Sequence, residues 1–383
     1  FRDTFRRLLR RHANSNIIKL IGKTHPADMA LIYRYFNDEE QDTIFAMMPP
    51  SEESVEFLSE LDESITVRLL DQVTPQRMAT ILEEASSNEI AHLMGLVNED
   101  YATAVIDLLQ AEEQEKLEEI MAYPEDSAGI LMYTDVFTLH EETKAIDAIA
   151  ALQDQEEAEM VFYLYAVDTD GRLTGVVSLR NLVTTSSDTT LENIMSRRVH
   201  SVRPETDQEE VARIVSQYNF LAVPVVDAED QLLGIITVDD VVDIVREEAT
   251  EDFLQMVGAG KDREILLKSS WDNARMRFPW LFASWIGGIL AAFIIGIFDD
   301  ILQSTIVLAA FIPVIIGMGG NIGTQSSTII VRGLATGRVG LENSVKILLK
   351  EIRVGLILGV LYGILLGLFA IFRFLDVSPL FSH

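Results

Sequence analysis

The chain has 383 residues, with 30 lysines and arginines against 60 aspartates and glutamates, and a formal net charge of −30. That length exceeds a single hydrophobic core, so several domains are expected. The acidic excess excludes a nucleic-acid binder, which needs a basic face for phosphate contacts, and the absence of cysteine excludes disulfides and thiolate metal sites.

Residues 1–125 read as an all-α domain. It starts on a basic helical stretch, Phe1-Arg-Asp-Thr-Phe-Arg-Arg, with no cleavable signal pattern. Apolar residues recur at three- and four-residue intervals, as in Met29, Ile32, Tyr33 and Phe36, then Ile44, Phe45 and Met48. Breaks at Pro26, Asn37, Pro49-Pro-Ser51, Pro75, Ser86-Ser-Asn88 and Asn98 cut the pattern into short pieces, which predicts antiparallel helices stacked as a superhelix. Acids such as Glu39, Glu52 and Glu89 fall mostly opposite the apolar stripe, as on a solvated face.

From residue 126 to 249 the pattern becomes α/β, and it occurs twice, over about 126–187 and 188–249. Asp168, Gly175 and Ser178 recur at a constant offset as Asp227, Gly234 and Thr237. Each unit predicts an entry strand, after Ile130-Leu-Met132 or Ile194-Met195, then a helix, a two-stranded hairpin and a closing helix. Thr206-Asp-Gln-Glu209 fits a capping box with Thr206 as N-cap and Glu209 reaching back.

The helix after Thr237 carries Asp240, Asp243, Glu247 and Glu251 at three- and four-residue spacing, with Glu248 and Asp252 beside them. Like charges so placed each destabilise an isolated helix by a few tenths of a kcal/mol, and those near its end also oppose its dipole. Such a stripe is either a solvated face or a surface completed by hard cations such as Mg2+, which takes oxygen ligands and keeps several waters. A connecting segment follows over 250–276, interrupted by Gly258 and Gly260 and carrying Lys261-Asp-Arg-Glu264 and Lys268.

Residues 277–383 read as membrane-embedded. Pro279–Phe298 holds no charge and is long enough to cross a ~30 Å hydrocarbon layer as a helix. Further apolar runs cover Ile301–Met318 and Val354–Phe372, giving three visible spans with no acid inside them. Lys268, Arg275 and Arg277 precede the first span, and Arg332, Arg338, Lys346, Lys350 and Arg353 fill the segment before the third. The connection between the first two is Asp299-Asp300, so the positive-inside bias places the N-terminal domains in the cytoplasm. The second span ends on Gly319-Gly-Asn-Ile-Gly-Thr-Gln-Ser-Ser327, whose polar, glycine-broken backbone fits either a water-lined path or close helix packing. No dinucleotide fingerprint, P-loop, nucleophile elbow or HExxH occurs, so no enzyme is expected.

The phrases Leu221-Ala-Val-Pro-Val-Val-Asp227 and Gly234-Ile-Ile-Thr-Val-Asp-Asp240 resemble a CBS module, and CBS modules pair with pseudo-twofold symmetry. Tyr123-Pro-Glu-Asp-Ser-Ala-Gly129, Thr206–Arg213, Thr237–Asp240, Glu248–Asp252 and Gly319–Gln325 together resemble the MgtE family of magnesium channels and transporters over nearly the whole chain. The resemblance implies a homodimer in the inner or plasma membrane. It also implies a helical N domain, a CBS pair, a plug helix at 250–276 and a membrane domain, with Mg2+ as both substrate and regulator. Metal-sensing acids are implied at Asp207, Glu209, Asp240, Asp243, Glu248, Glu251 and Asp252, and pore-lining residues at Asn321, Thr324 and Gln325. At high internal Mg2+ the bound ions would draw the acidic domains together and close the pore; at low Mg2+ repulsion would open it.

Paired CBS modules also hold adenine nucleotides. Tyr163 and Phe220 would then stack on the base of ATP, with Arg180 and Asn181 at phosphate and ribose. Two departures stand out. Relatives often carry acids where this chain has Asn181 and Asn219. The family has five spans, whereas three are visible here, and its pore acid belongs to the last two. A rival reading is a nucleotide-sensing membrane protein that does not itself conduct; protection of the soluble region by ATP alone would favour it over protection by Mg2+.

Overall fold

Polar caps cut the N-terminal apolar stripe into short helices. The helices are α1 (Arg2–Arg10), α2 (Asn14–Ile21), α3 (Pro26–Tyr33), α4 (Asp38–Ala46), α5 (Glu52–Ser59), α6 (Glu63–Leu70), α7 (Pro75–Leu82), α8 (Ser87–Gly95), α9 (Glu99–Ile106) and α10 (Ala111–Met121). Asn37 with Glu40 and Ser86 with Glu89 form capping boxes that start α4 and α8. Asn98 accepts from the Tyr101 amide to start α9, and Thr74 with Pro75 at the first helical position starts α7. Alternate helices pack on one another, α3 on α5, α5 on α7, α7 on α9 and α8 on α10, which is the expected superhelical stack. Its core holds Phe5, Tyr33 and Phe57, all fully buried. The Tyr33 hydroxyl donates to the Gln41 carbonyl at 2.6 Å while the Gln41 amide returns a bond to the Tyr33 carbonyl at 3.0 Å, locking α3 to α4.

In this computed structural model the described residues are 2–83, 85–124, 126–154, 163–256, 269–304, 306–335 and 344–375. The chain divides into two compact units, Phe1–Arg246 and Glu247–His383.

The first unit continues through α11 (Ala128–Leu131), β1 (Thr138–His140), α12 (Ala145–Asp154), β2 (Tyr163–Val167), β3 (Leu173–Ser178), α13 (Leu179–Thr184), α14 (Gln208–Tyr218), β4 (Ala222–Val226), β5 (Leu232–Thr237) and the part of α15 (Val238–Met256) up to Arg246. Strand β1 pairs parallel to β2, and β2 antiparallel to β3. The second repeat has the β4–β5 hairpin, but its entry strand shrinks to a single bridge between Val202 and Val225. The repeats exchange arms. The segment before the first, through Tyr133, bridges Ile235 of β5, and the segment before the second, through Ser196, bridges Val176 of β3.

The recurring residues now have physical causes. The Asp168 carboxylate accepts the Asp170 and Arg172 amides, both at 2.9 Å, and Asp227 accepts those of Glu229 and Gln231 at 3.0 and 2.8 Å. Gly171 and Asp230 take the left-handed conformation that each hairpin turn needs. A Cβ on Gly175 would lie 2.4 Å from the Met195 sulfur, and one on Gly234 2.7 Å from the Tyr133 carbonyl oxygen, so both glycines make room for the exchanged arms.

Two corrections concern helix boundaries in this unit. The N-cap of α14 is Asp207, whose carboxylate accepts the Glu209 amide at 2.8 Å, rather than Thr206, whose hydroxyl accepts from the Arg203 amide. Helix α15 runs without a break past residue 249 to Met256, so residues 250–256 are its tail and not the start of a separate helix.

In the second unit, α16 (Ser270–Ile297) starts nine residues before the Pro279 expected from hydropathy, so residues 270–276 belong to a membrane helix. Pro279 is carried inside it. The expected plug residues 257–268, with Gly258, Gly260, Lys261 and Lys268, lie outside the described residues. The expected second span over Ile301–Met318 is not one helix. It comprises α17 (Asp299–Ser304), a 3-10 segment (Ile306–Phe311) and the start of α18 (Ile312–Ala335). Nor does glycine break the backbone at Gly319–Gln325, which is continuous α-helix; runs of small residues permit a helix when packing rather than propensity decides. Helix α19 (Ser344–Leu375) begins ten residues before Val354 and carries Glu351. Among the described residues, Ser270–Ile297 and Val345–Phe372 are long and apolar enough to cross a membrane. Their apolar side chains are exposed, with Phe293 at 72 % and Phe372 at 77 %, a surface that suits lipid.

Candidate functional site

The acids of α15 lie in different surroundings, although the sequence shows them as one stripe. Asp243 is exposed, and it faces the end of α5 in the helical domain. There the Glu60 carboxyl is held above its ordinary range, first by partial burial, then by the negative charges of Asp243 and Glu56, with Arg246 and His25 opposing. Three carboxylates from two elements thus converge, and His25 stands 3.8 Å from Glu56 at their edge. Like charges brought together across an interface repel unless a cation sits among them, and a hydrated divalent ion suits oxygens spaced too widely for direct chelation.

Asp240 is different. One carboxylate oxygen accepts the Thr237 amide at 3.1 Å and hydroxyl at 2.5 Å, and the other accepts the Tyr133 hydroxyl at 3.3 Å. Burial raises its pKa, while these hydrogen bonds pull the other way. Farther along α15, Glu248, Glu251 and Asp252 are half-buried in the second unit, and burial followed by the Glu251 charge raises the Asp252 pKa. Gln255 donates to Glu251 at 2.7 Å. Asp207 and Glu209 sit exposed at the start of α14. No three histidines or acids gather as a closed metal cluster among the described residues. The acids therefore line surfaces and do not form a chelating cage.

The proposed nucleotide residues fall on both repeats. Tyr163 opens β2, and Arg180 and Asn181 are exposed in the first turn of α13, whose N-cap Ser178 accepts the Asn181 amide at 3.2 Å. Phe220 follows α14 and joins an aromatic stack absent from the sequence reading. Tyr218 lies 5.3 Å from Phe220 and 4.2 Å from His200, ring centre to ring centre. Asn219 closes α14 in the left-handed conformation, φ 54°, which Asn adopts more readily than most residues. Among the described residues Tyr163 and Phe220 make no ring contact with each other.

In the second unit Asn321, Thr324 and Gln325 are exposed and share one face of α18 by their helical spacing. Thr324 bonds back to the Gly320 carbonyl at 3.1 Å, so its hydroxyl is satisfied within the helix. Two residues on, the Ser326 hydroxyl donates to Glu351 of α19 at 2.7 Å and joins the two helices through a carboxylate.

Sequence reasoning missed Glu56, Glu60, His200, Tyr218 and Glu351. Only the helical stacking brings Glu60 to Asp243; nothing in its own neighbourhood marks it. A signal did exist for Tyr218, since it is two residues from Phe220 and its ring can join the same stack.

Comparison with known proteins gives a consistent picture. The intracellular N domain family of MgtE matches residues 24–126, the CBS domain family matches 128–188 and 191–247, and the divalent cation transporter family MgtE matches 312–382. The chain is 30 % identical over 353 residues to the magnesium transporter MgtE of Bacillus subtilis, covering 92 % of this chain and 78 % of that protein. It is 34 % identical over 354 residues to the magnesium transporter MgtE of Thermus thermophilus, covering 91 % and 78 %. Among solved structures, the cytosolic domain of the Mg2+ channel MgtE in complex with ATP superposes with a TM-score of 0.61 at 32 % identity, over 64 % of this chain and all of that one.

Proposed function

The chain belongs to the MgtE family of divalent cation transporters, and from that premise we propose that it moves Mg2+ across the cell membrane under the control of its own cytosolic domains. The observation that carries the regulatory part is the convergence of Glu56 and Glu60 of the helical domain on Asp243 of the second CBS repeat. Internal Mg2+ is held there as a hydrated ion between facing carboxylates, which offsets their repulsion. Asp207, Glu209, Glu248, Glu251 and Asp252 are further sensing positions. When the ion leaves, repulsion loosens the domains and the conduction path opens; the feedback is negative. Asn321, Thr324 and Gln325 supply oxygens to a hydrated ion passing along α18. The working protein is a homodimer with several membrane passes and cytoplasmic N-terminal domains.

The CBS pair also takes ATP. Phe220 and Tyr218 offer stacking faces for adenine, and Arg180 offers a guanidinium for phosphate. Asn181 bonds the ribose through a neutral amide.

Mg2+ uptake into liposomes carrying the full chain tests the transport reading. Uptake that falls as Mg2+ is raised on the cytosolic face supports it. Absence of flux at every internal Mg2+ concentration, in liposomes where the protein is folded and correctly inserted, rejects it.

A further inference from the structure

Helix α19 has a single acid in its sequence, Glu351, inside the stretch Val345–Phe372 that is long and apolar enough to cross a membrane. An ionisable group there is costly unless a partner is at hand. Its partner is Ser326 of α18, whose hydroxyl donates to the carboxylate at 2.7 Å. Both residues are half-buried, and so are those one turn away on the same faces, Ile322 and Ile330 on α18 and Ile347 and Gly355 on α19. The bond thus belongs to a row that is otherwise apolar on both helices. The hydroxyls of Thr324 and Thr328 behave differently, for they turn back to the Gly320 and Thr324 carbonyls of their own helix at 3.1 and 2.9 Å. At about 100° per residue, Ser326 lies roughly 150° around α18 from the middle of the face that carries Asn321, Thr324 and Gln325. The bond therefore grips α18 on the side away from that face. Close packing does not hold the same stretch, since a Cβ on Gly319, Gly320 or Gly323 would meet nothing within 4 Å among the described residues.

We propose that Glu351 is a positioning residue of the conduction path, which acts through Ser326 to fix the rotation of α18 and so the direction in which Asn321, Thr324 and Gln325 face. The carboxylate serves as a charge-assisted acceptor between two helices and does not itself meet the ion. Loss of either partner lets α18 turn about its axis, and the polar face then spreads over directions of which one serves the ion. The inference rests on the conducting role proposed above for that face, while the direction of the face can be measured without any ion.

The full chain has no cysteine, so a Gln325→Cys reporter in liposomes supplies one thiol, and its rate of reaction with a water-soluble maleimide reads the direction of the face. Adding Ser326→Ala or Glu351→Leu should lower that rate about tenfold, the equivalent of one hydrogen bond between helices, while cooperative thermal unfolding is retained. Without the reporter, the same two substitutions should each lower Mg2+ uptake at saturating Mg2+ about tenfold, and together no further than either alone. Glu351→Gln, which keeps an acceptor without the charge, should retain more uptake than Glu351→Leu. A carboxylate that met the ion would give another pattern, with Glu351→Gln as damaging as Glu351→Leu and Ser326→Ala at the parental rate. That pattern overturns the proposal, and so does a parental labelling rate in Ser326→Ala. A reporter that stays unreactive with both partners present takes the face out of water and overturns it too. Should Glu351→Leu fail to fold, Ser326→Ala decides by the same two readouts. If even the parent takes up no Mg2+, the transport reading fails while the labelling rates still judge what holds α18.

Discussion

The two CBS repeats share a scaffold and differ in what they do with it. Both cap their closing helix with a hydroxyl, Ser178 or Thr237, and both place a polar residue three positions later. In the first repeat that residue is Asn181, exposed beside Arg180. In the second it is Asp240, which accepts the Tyr133 hydroxyl. The duplication thus preserves what the backbone needs, the turn aspartates and the glycines under the exchanged arms. The cap-side position is left to specialise, exposed in one copy and engaged by Tyr133 in the other.

The glycines give the largest expected effect and the sharpest contrast. Gly234→Ala drives a Cβ against the Tyr133 carbonyl oxygen, which the backbone pairing to Ile235 holds in place, so urea unfolding should show a loss of about 3 kcal/mol. Gly175→Ala meets the Met195 side chain first, which can adjust, and should lose about 1–2 kcal/mol. Equal losses would mean that the two arms are held alike. Next is the cap-side position. Asn181→Asp makes the first repeat resemble the second and should tighten ATP about tenfold by calorimetry, as a charged acceptor replaces a neutral one at the ribose. Unchanged affinity would remove Asn181 from the nucleotide site.

The smallest effect is electrostatic. The folded-state pKa of Glu60 is raised, so as pH falls from neutral the folded protein takes up this proton before the unfolded chain does. Glu60 therefore opposes folding at neutral pH without Mg2+, and its penalty fades as pH drops through its raised pKa toward the unfolded value. Glu60→Gln should stabilise by a few tenths of a kcal/mol in chelator at pH 7, since the group is largely solvated, and should flatten that part of the pH profile. Destabilisation by Glu60→Gln in chelator would contradict the repulsion.

The helical stack, the duplicated α/β unit and the apolar helices were legible because each leaves a periodic trace in the chain. Asn37, Ser86 and Asn98 mark helix starts by side-chain chemistry that is local, and the repeated Asp and Gly mark turns and close approaches. Sequence reasoning failed where hydropathy stood in for geometry. Ile301–Met318 is apolar throughout yet divides among three helical segments, and Gly319–Gln325 is glycine-rich yet helical. The acidic stripe was legible as charge but not as environment. Asp240 and Asp243 are three residues apart on one helix, but one is sequestered by Tyr133 and Thr237 and the other faces Glu60, and both Tyr133 and Glu60 lie more than a hundred positions away.

The most direct measurement is protease protection of the full chain as a function of Mg2+, with the parent set beside Glu60→Gln/Asp243→Asn/Glu248→Gln/Glu251→Gln. The account predicts that the parent becomes resistant as Mg2+ rises. The neutralised variant should already be resistant in chelator and respond little to added Mg2+, because the repulsion that the ion offsets has been removed. A neutralised variant that starts as open as the parent, and closes at the same Mg2+ concentration, would contradict it.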